Sequence, residues 1–92
     1  MKVVFTEIGW EEFSHWLEKD EGVARKIKEL IDAIRKQPFQ GIGKPEPLKH
    51  ALKGYWSRRI SGEHRIVYHI SGTKGKDQTC TIIQCRFHYE DK

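Results

Sequence analysis

The stretch Thr79-Cys-Thr-Ile-Ile-Gln-Cys-Arg-Phe-His-Tyr89 decides how this chain folds. It is rich in β-branched and aromatic residues and holds neither glycine nor proline, so it reads as a β-strand with side chains alternating between two faces. Thr81, Ile83, Cys85, Phe87 and Tyr89 form the more apolar set and are expected to face the core. Cys80, Ile82, Gln84, Arg86 and His88 form the other set, which turns polar towards its end. Such a strand leaves the core as it ends, bringing a cation, an imidazole and a phenol ring into one site.

Working outward, Arg65–Ser71 and Gly54–Ser61 read as two more strands. The tight connection Ser61-Gly-Glu-His64 and the looser Gly72–Asp77 make neighbours in this series antiparallel. At the other end, Met1–Phe5 is a short, largely buried strand. Thr6 is an N-cap, and Trp10, Phe13, Trp16 and Leu17 follow at helical spacing to about Lys19, a stripe expected to pack in the core. Asp20 caps a second helix, in which Val23, Ile27, Leu30, Ile31 and Ile34 keep a 3.6-residue period until Pro38 ends it. The resulting order is β-α-α-β-β-β. This is an α+β fold with two N-terminal helices packed on one face of a twisted antiparallel sheet, leaving the other face to a ligand. Residues 1–92 form a single domain.

The net charge is +4 and the pI about 9.2, a balance that favours acidic partners, chiefly nucleic acid. No apolar run is long enough to span a membrane, and Met1–Phe5 is too short for a signal-peptide core, so a cytoplasmic protein is expected. Cys80 and Cys85 fall on opposite faces of a regular strand, which predicts buried free thiols rather than a disulfide. The five histidines are scattered and no Cys-x-x-Cys occurs, so neither a metal site nor a cofactor is expected.

Between Pro38 and His50 lies a loop in which Pro45 and Pro47 flank Glu46. Each proline fixes its own φ and extends the residue before it, so the carboxylate sits on a stiff segment amid Lys44, Lys49 and His50. The polar groups expected on the open face are Glu46, Lys49, either Arg58 or Arg59, Arg65, Arg86, His88 and Tyr89. Strand parity leaves the choice between Arg58 and Arg59 open, because a one-residue slip exchanges the faces. Cleaving RNA by internal attack needs a base for the 2′-OH proton, a cation for the phosphorane and an acid for the leaving 5′-oxygen. A carboxylate, arginines and a histidine meet those needs, and a ring can stack on a splayed base. From the residues alone, Arg65 reads as a structural ion-pair partner of Glu63, Tyr55, Trp56 and Tyr68 as sheet packing, and His64 and His69 as structural or exposed.

Four motifs occur in order: Gly43-Lys-Pro-Glu-Pro-Leu-Lys49, Gly54-Tyr-Trp-Ser-Arg-Arg-Ile60, Glu63-His-Arg-Ile-Val-Tyr68 and Cys85-Arg-Phe-His-Tyr89. With these the chain resembles, over essentially its whole length, the YoeB (Txe) family of toxins, in the RelE/ParE superfamily of bacterial toxin–antitoxin systems. The resemblance implies a ribosome-dependent endoribonuclease that cuts mRNA in the ribosomal A site. It implies Glu46 as general base, Arg65 as the phosphorane-stabilising cation, His88 as general acid and Tyr89 as the substrate-orienting ring. Lys44, Lys49, Arg59 and Arg86 would hold RNA or ribosome phosphates. A homodimer and a cognate YefM/Axe-like antitoxin are implied as well. The chain departs from the family pattern at Phe87, where a tyrosine is usual, in the extension Glu90-Asp-Lys92, and in a longer Ser71–Gln78 connection. The competing readings are a non-catalytic toxin of the ParE kind and a ribosome-binding inhibitor acting by contacts alone. Neither needs an acid–base couple.

Overall fold

In a computed structural model, which describes residues 1–87, the element order is β1 (Lys2–Phe5), α1 (Glu7–Lys19), α2 (Glu21–Lys36), β2 (Glu46–Pro47), β3 (Trp56–Arg59), β4 (Arg65–Ser71) and β5 (Thr79–Gln84), with a short 3₁₀ turn at His50–Leu52. Both helices start as the sequence dictates. Thr6 Oγ1 accepts from Gly9 N at 3.1 Å, and Asp20 Oδ1 accepts from Gly22 N and Val23 N at 3.1 and 3.2 Å. Gln37 ends α2, one residue before Pro38, with Arg35 and Lys36 in its last turn, where cations suit the helix dipole.

The five strands form one sheet in the order β1-β5-β4-β3-β2. It is antiparallel from β2 to β5, but β1 runs parallel to β5, so the sheet is mixed rather than wholly antiparallel. The two helices between β1 and the rest supply the long crossover that a parallel neighbour requires. They cover one face, where Trp16, Ala24, Ile27, Leu30 and Ile34 meet Ile60, Ile66, Tyr68, Cys80, Ile82 and Cys85. Gly9 lets α1 come close to β5: a Cβ there would stand 2.5 Å from Ile82 O.

Two expectations of core-facing residues are corrected. On β5 the buried residues are Cys80 and Ile82, not Thr81 and Ile83, yet Cys85 is buried as well. A β-bulge explains both. Tyr68 pairs with Ile82 but Val67 pairs with Gln84, so Ile83 is an extra residue that reverses the alternation. The strand therefore ends at Gln84 rather than Tyr89, and Phe87 is 54% exposed. Cys80 and Cys85 share the core rather than opposite faces, as free, buried thiols. On α1, Trp16 is buried and Phe13 half-buried, but Trp10 and Leu17 are 52% and 49% exposed. The side of the helix that is buried runs through Gly9 and Trp16 instead. Trp10 packs sideways on Phe5 and Phe13, at centroid distances of 5.6 and 6.0 Å.

Candidate active site

The face of the sheet away from the helices carries three cross-strand rows. Pairing of Glu46 with Ser57, Ser57 with Val67 and Val67 with Gln84 makes the first. Directly paired residues project to the same side, so the Glu46 carboxylate belongs to the row of Val67, which is itself buried. Two residues further along β3, Arg59 pairs with Arg65, forming a second, cationic row on that side. In the other direction Tyr55 meets His69 with ring centroids 5.2 Å apart. Lys44 precedes Glu46 by two residues, and Gly43 O accepts from Arg59 N at 2.7 Å, which brings the loop beside the cationic row. Lys44 turns the chain with φ +52, a left-handed geometry unusual for a side-chain-bearing residue. Glu46 follows, exposed, on a two-residue strand that the loop's length had concealed from sequence patterning.

The choice between the two arginines of β3 is resolved. Arg59 is exposed, whereas Arg58 is completely buried. Arg58 Nε donates to Tyr68 Oη at 3.1 Å, Nη1 to Ile42 O at 3.0 Å, and Nη2 to Gln37 O and Gln40 O at 2.5 and 2.7 Å. Tyr68 Oη in turn donates to Pro38 O at 2.7 Å. Burial pushes the Tyr68 hydroxyl above its ordinary pKa, against the opposing pull of Arg58.

Arg65 is half-buried, and Nη1 donates to Ser61 O and His64 O at 2.8 and 3.1 Å. These carbonyls of the β3–β4 turn orient its guanidinium, and among the described residues they, rather than Glu63, are its partners. The end of the described chain is fixed beside it. Phe87 O accepts from Arg65 N at 3.1 Å, and Phe87 N donates to His64 Nδ1 at 2.7 Å. Phe87 is held in the left-handed region at φ +64 between these two bonds. One step back, Cys85 O accepts from Trp16 Nε1, and Cys85 N donates to Glu12 Oε1, both at 2.8 Å. His64 thus has a specific structural task that its sequence environment did not reveal, and so does Glu12.

Of the sequence-predicted site residues, Glu46, Arg59 and Arg65 come together on one face, with Lys44 beside them. Lys49 lies past the paired strand, exposed at the start of the 3₁₀ turn. Arg86 is half-buried and sits with its guanidinium 4.5 Å from the Phe87 ring centroid and 5.9 Å from that of Trp16. That stacks it on aromatic surface and outside the Arg59–Arg65 row. His88 and Tyr89, the expected acid and ring, lie outside the described residues, as does the Glu90-Asp-Lys92 extension. Among the described residues no cluster of three or more His, Cys, Asp and Glu is placed to hold a metal ion, and no helix is long and apolar enough to cross a membrane.

Comparison with known proteins is consistent along the chain. Residues 5–89 match the family model of YoeB-like toxins of bacterial type II toxin–antitoxin systems. Toxin YoeB of Streptomyces coelicolor is 49% identical over 89 residues, covering 97% of this chain and all of that protein. Toxin YoeB of Escherichia coli K12 is 47% identical, with the same coverage. Among solved structures, a YoeB/ParE toxin from Agrobacterium tumefaciens superposes with a TM-score of 0.91 at 48% identity, over 97% of this chain and all of that one. A YoeB chain from Staphylococcus aureus, solved as a dimer, gives 0.85 at 37% identity over 97% and 98%. YoeB of the same organism is also solved in complex with YefM, at a TM-score of 0.84 and 34% identity over 97% and 98%.

Proposed function

This chain belongs to the YoeB-like toxins of bacterial type II toxin–antitoxin systems, and on that premise we propose that it is a ribosome-dependent endoribonuclease that cuts mRNA in the A site and so stops translation. The observation that carries the reading is the pairing register, which sets the Glu46 row next to the Arg59–Arg65 row on one face.

In the proposed reaction Glu46 takes the proton of the ribose 2′-OH, and the 2′-oxygen attacks the adjacent phosphorus. Arg65, already oriented by the turn carbonyls, stabilises the charge that builds on the phosphorane oxygens. The P–O5′ bond breaks as His88 protonates the leaving oxygen. The products are a 2′,3′-cyclic phosphate, which can open to a 3′-phosphate, and a 5′-hydroxyl. Tyr89 orients the substrate. Lys44, Lys49, Arg59 and Arg86 hold phosphates of mRNA or ribosomal RNA, Arg86 from the aromatic shelf of Trp16 and Phe87. Phe87, the last described residue, has its carbonyl tied to the Arg65 amide at 3.1 Å. The protein works in the cytoplasm; it forms a homodimer and is restrained by a YefM-like antitoxin, as the solved relatives lead one to expect.

Primer extension on mRNA in a translating extract tests this. Wild-type protein should produce discrete cuts within codons. Glu46→Ala and His88→Ala should each lose about 10²-fold or more in cutting while melting like wild type. Undiminished cutting by both variants refutes the assignment. Translation arrest with no cut, even by wild type, favours a toxin that acts by contacts alone.

A further inference from the structure

We propose that Arg58 is the positioning residue for Glu46, acting through the loop that its guanidinium clamps; this rests on the reading of Glu46 as general base. Residues 37–45 join α2 to β2 without regular structure, and Gly41, Gly43 and Lys44 all adopt positive φ. A segment of that kind has little intrinsic preference for one path. What fixes it is Arg58. Three of its donor bonds end on the carbonyls of Gln37, Gln40 and Ile42, and the fourth reaches Pro38 O through the Tyr68 hydroxyl. Gln37 is the C-cap of α2, so the cation also sits at the negative end of a helix dipole.

Past the clamp, Gly43 O accepts from the backbone N of the next residue, Arg59, at 2.7 Å. A Cβ at Gly43 would stand 3.0 Å from Arg58 Cβ and 2.8 Å from Leu30 Cδ2, so the chain is seated directly against the clamp and the core. Only then does it reach Glu46–Pro47, a strand of two residues. Its pairing with β3 is flanked by backbone bonds from Arg59 N to Gly43 O at 2.7 Å and from Leu48 N to Tyr55 O at 2.9 Å, and a slip of one residue would turn the Glu46 side chain to the other face of the sheet. The Gly43–Arg59 bond sits at the end of the clamped loop, so the clamp delivers the chain to the register that puts Glu46 in the row beside Arg59 and Arg65. Lysine cannot replace this function, because a single ammonium cannot serve acceptors spread around a planar fork.

The test is a double-mutant cycle on the full-length protein, read by single-turnover cleavage of ribosome-bound mRNA. Arg58→Lys is expected to melt cooperatively and to bind ribosomes within about threefold of wild type, yet to cleave about 10²-fold more slowly, the loss typical of a misplaced reacting group. In a Glu46→Gln background the same change should add less than about threefold, because Arg58 acts only through Glu46. A merely structural lesion would instead multiply the defect in full. Tyr68→Phe supplies the same comparison should Arg58→Lys fail to fold, with an expected loss of about tenfold that likewise vanishes in the Glu46→Gln background. The inference is overturned if the single variant cleaves within threefold of wild type, or if the two defects multiply. Failure of the underlying reading looks different: Glu46→Gln alone would then cleave like wild type.

Discussion

Arg58 and Arg59 are neighbours on β3, and the sheet sends them to opposite worlds. On the helix-covered face the guanidinium of Arg58 is enclosed by carbonyls and a phenol, with no exposure at all. On the other face Arg59 stands exposed beside Arg65. The pair teaches that a basic motif is not a basic site. Half of an Arg-Arg dipeptide in a strand points into the protein, and what it does there depends on the backbone acceptors it meets. A count of positive charges sees both residues as the same thing.

The largest effect that would sharpen the contrast is on stability. Arg58→Met removes four donors from buried or part-buried acceptors and should cost about 3–5 kcal/mol, near the value for breaking a buried charged network. Arg59→Met should change stability by no more than about 0.5 kcal/mol. Denaturant titration at matched pH measures both, and equal losses would break the distinction.

A middle-sized effect comes from the thiols of the covered face. Burial pushes Cys80 and Cys85 up to about 12, with Glu12 adding to the rise at Cys85. Their ordinary value is 9.0, so above that pH the unfolded chain binds fewer protons than the folded one. Stability is therefore fully kept below about pH 9 and falls as pH rises towards 12, by about 1 kcal/mol per thiol at pH 10. Unfolding midpoints at pH 7 and pH 10 should show the drop, and the double variant Cys80→Ala, Cys85→Ala should flatten it. Tyr68, also raised by burial, contributes in the same direction higher in the range. A pH-independent midpoint would mean that the thiols are not sealed from water.

The smallest effect belongs to the open face. Arg59→Gln should leave the melt unchanged and reduce the slope of log affinity for ribosomes against log salt by about 1. An unaltered slope would remove Arg59 from the phosphate-binding row.

How much of this was legible beforehand follows the range of the interactions. The helices were readable because their signals are local: Thr6 and Asp20 at the caps, the Val23–Ile34 period, and Pro38 at the stop. The outward position of Trp10 was not, because the buried side of α1 runs through Gly9, a residue with no apolar side chain to mark it. The strand Glu46–Pro47 escaped because two residues carry no alternation. The alternation of β5 is reversed by one bulge at Ile83, which shows only in how the strand pairs with β4. The carboxylate and the arginines of the candidate site were legible as residue types. The separation of Arg58 from Arg59 was not, since parity has no origin until the register is known. The bond from Phe87 N to His64 Nδ1 joins residues 23 apart and leaves no local trace.

The parallel pairing of β1 with β5 also bears on the order in which the protein is made. Thr6 N and Oγ1 both reach Ile82 O, a contact between residues 76 apart, and Lys2 pairs with Thr79. β1 must wait for β5, made some 76 residues later, before its edge is satisfied, so the sheet closes only once both strands are available. A nascent chain cut short after Ser71 would leave β1 and β4 without the strand that lies between them.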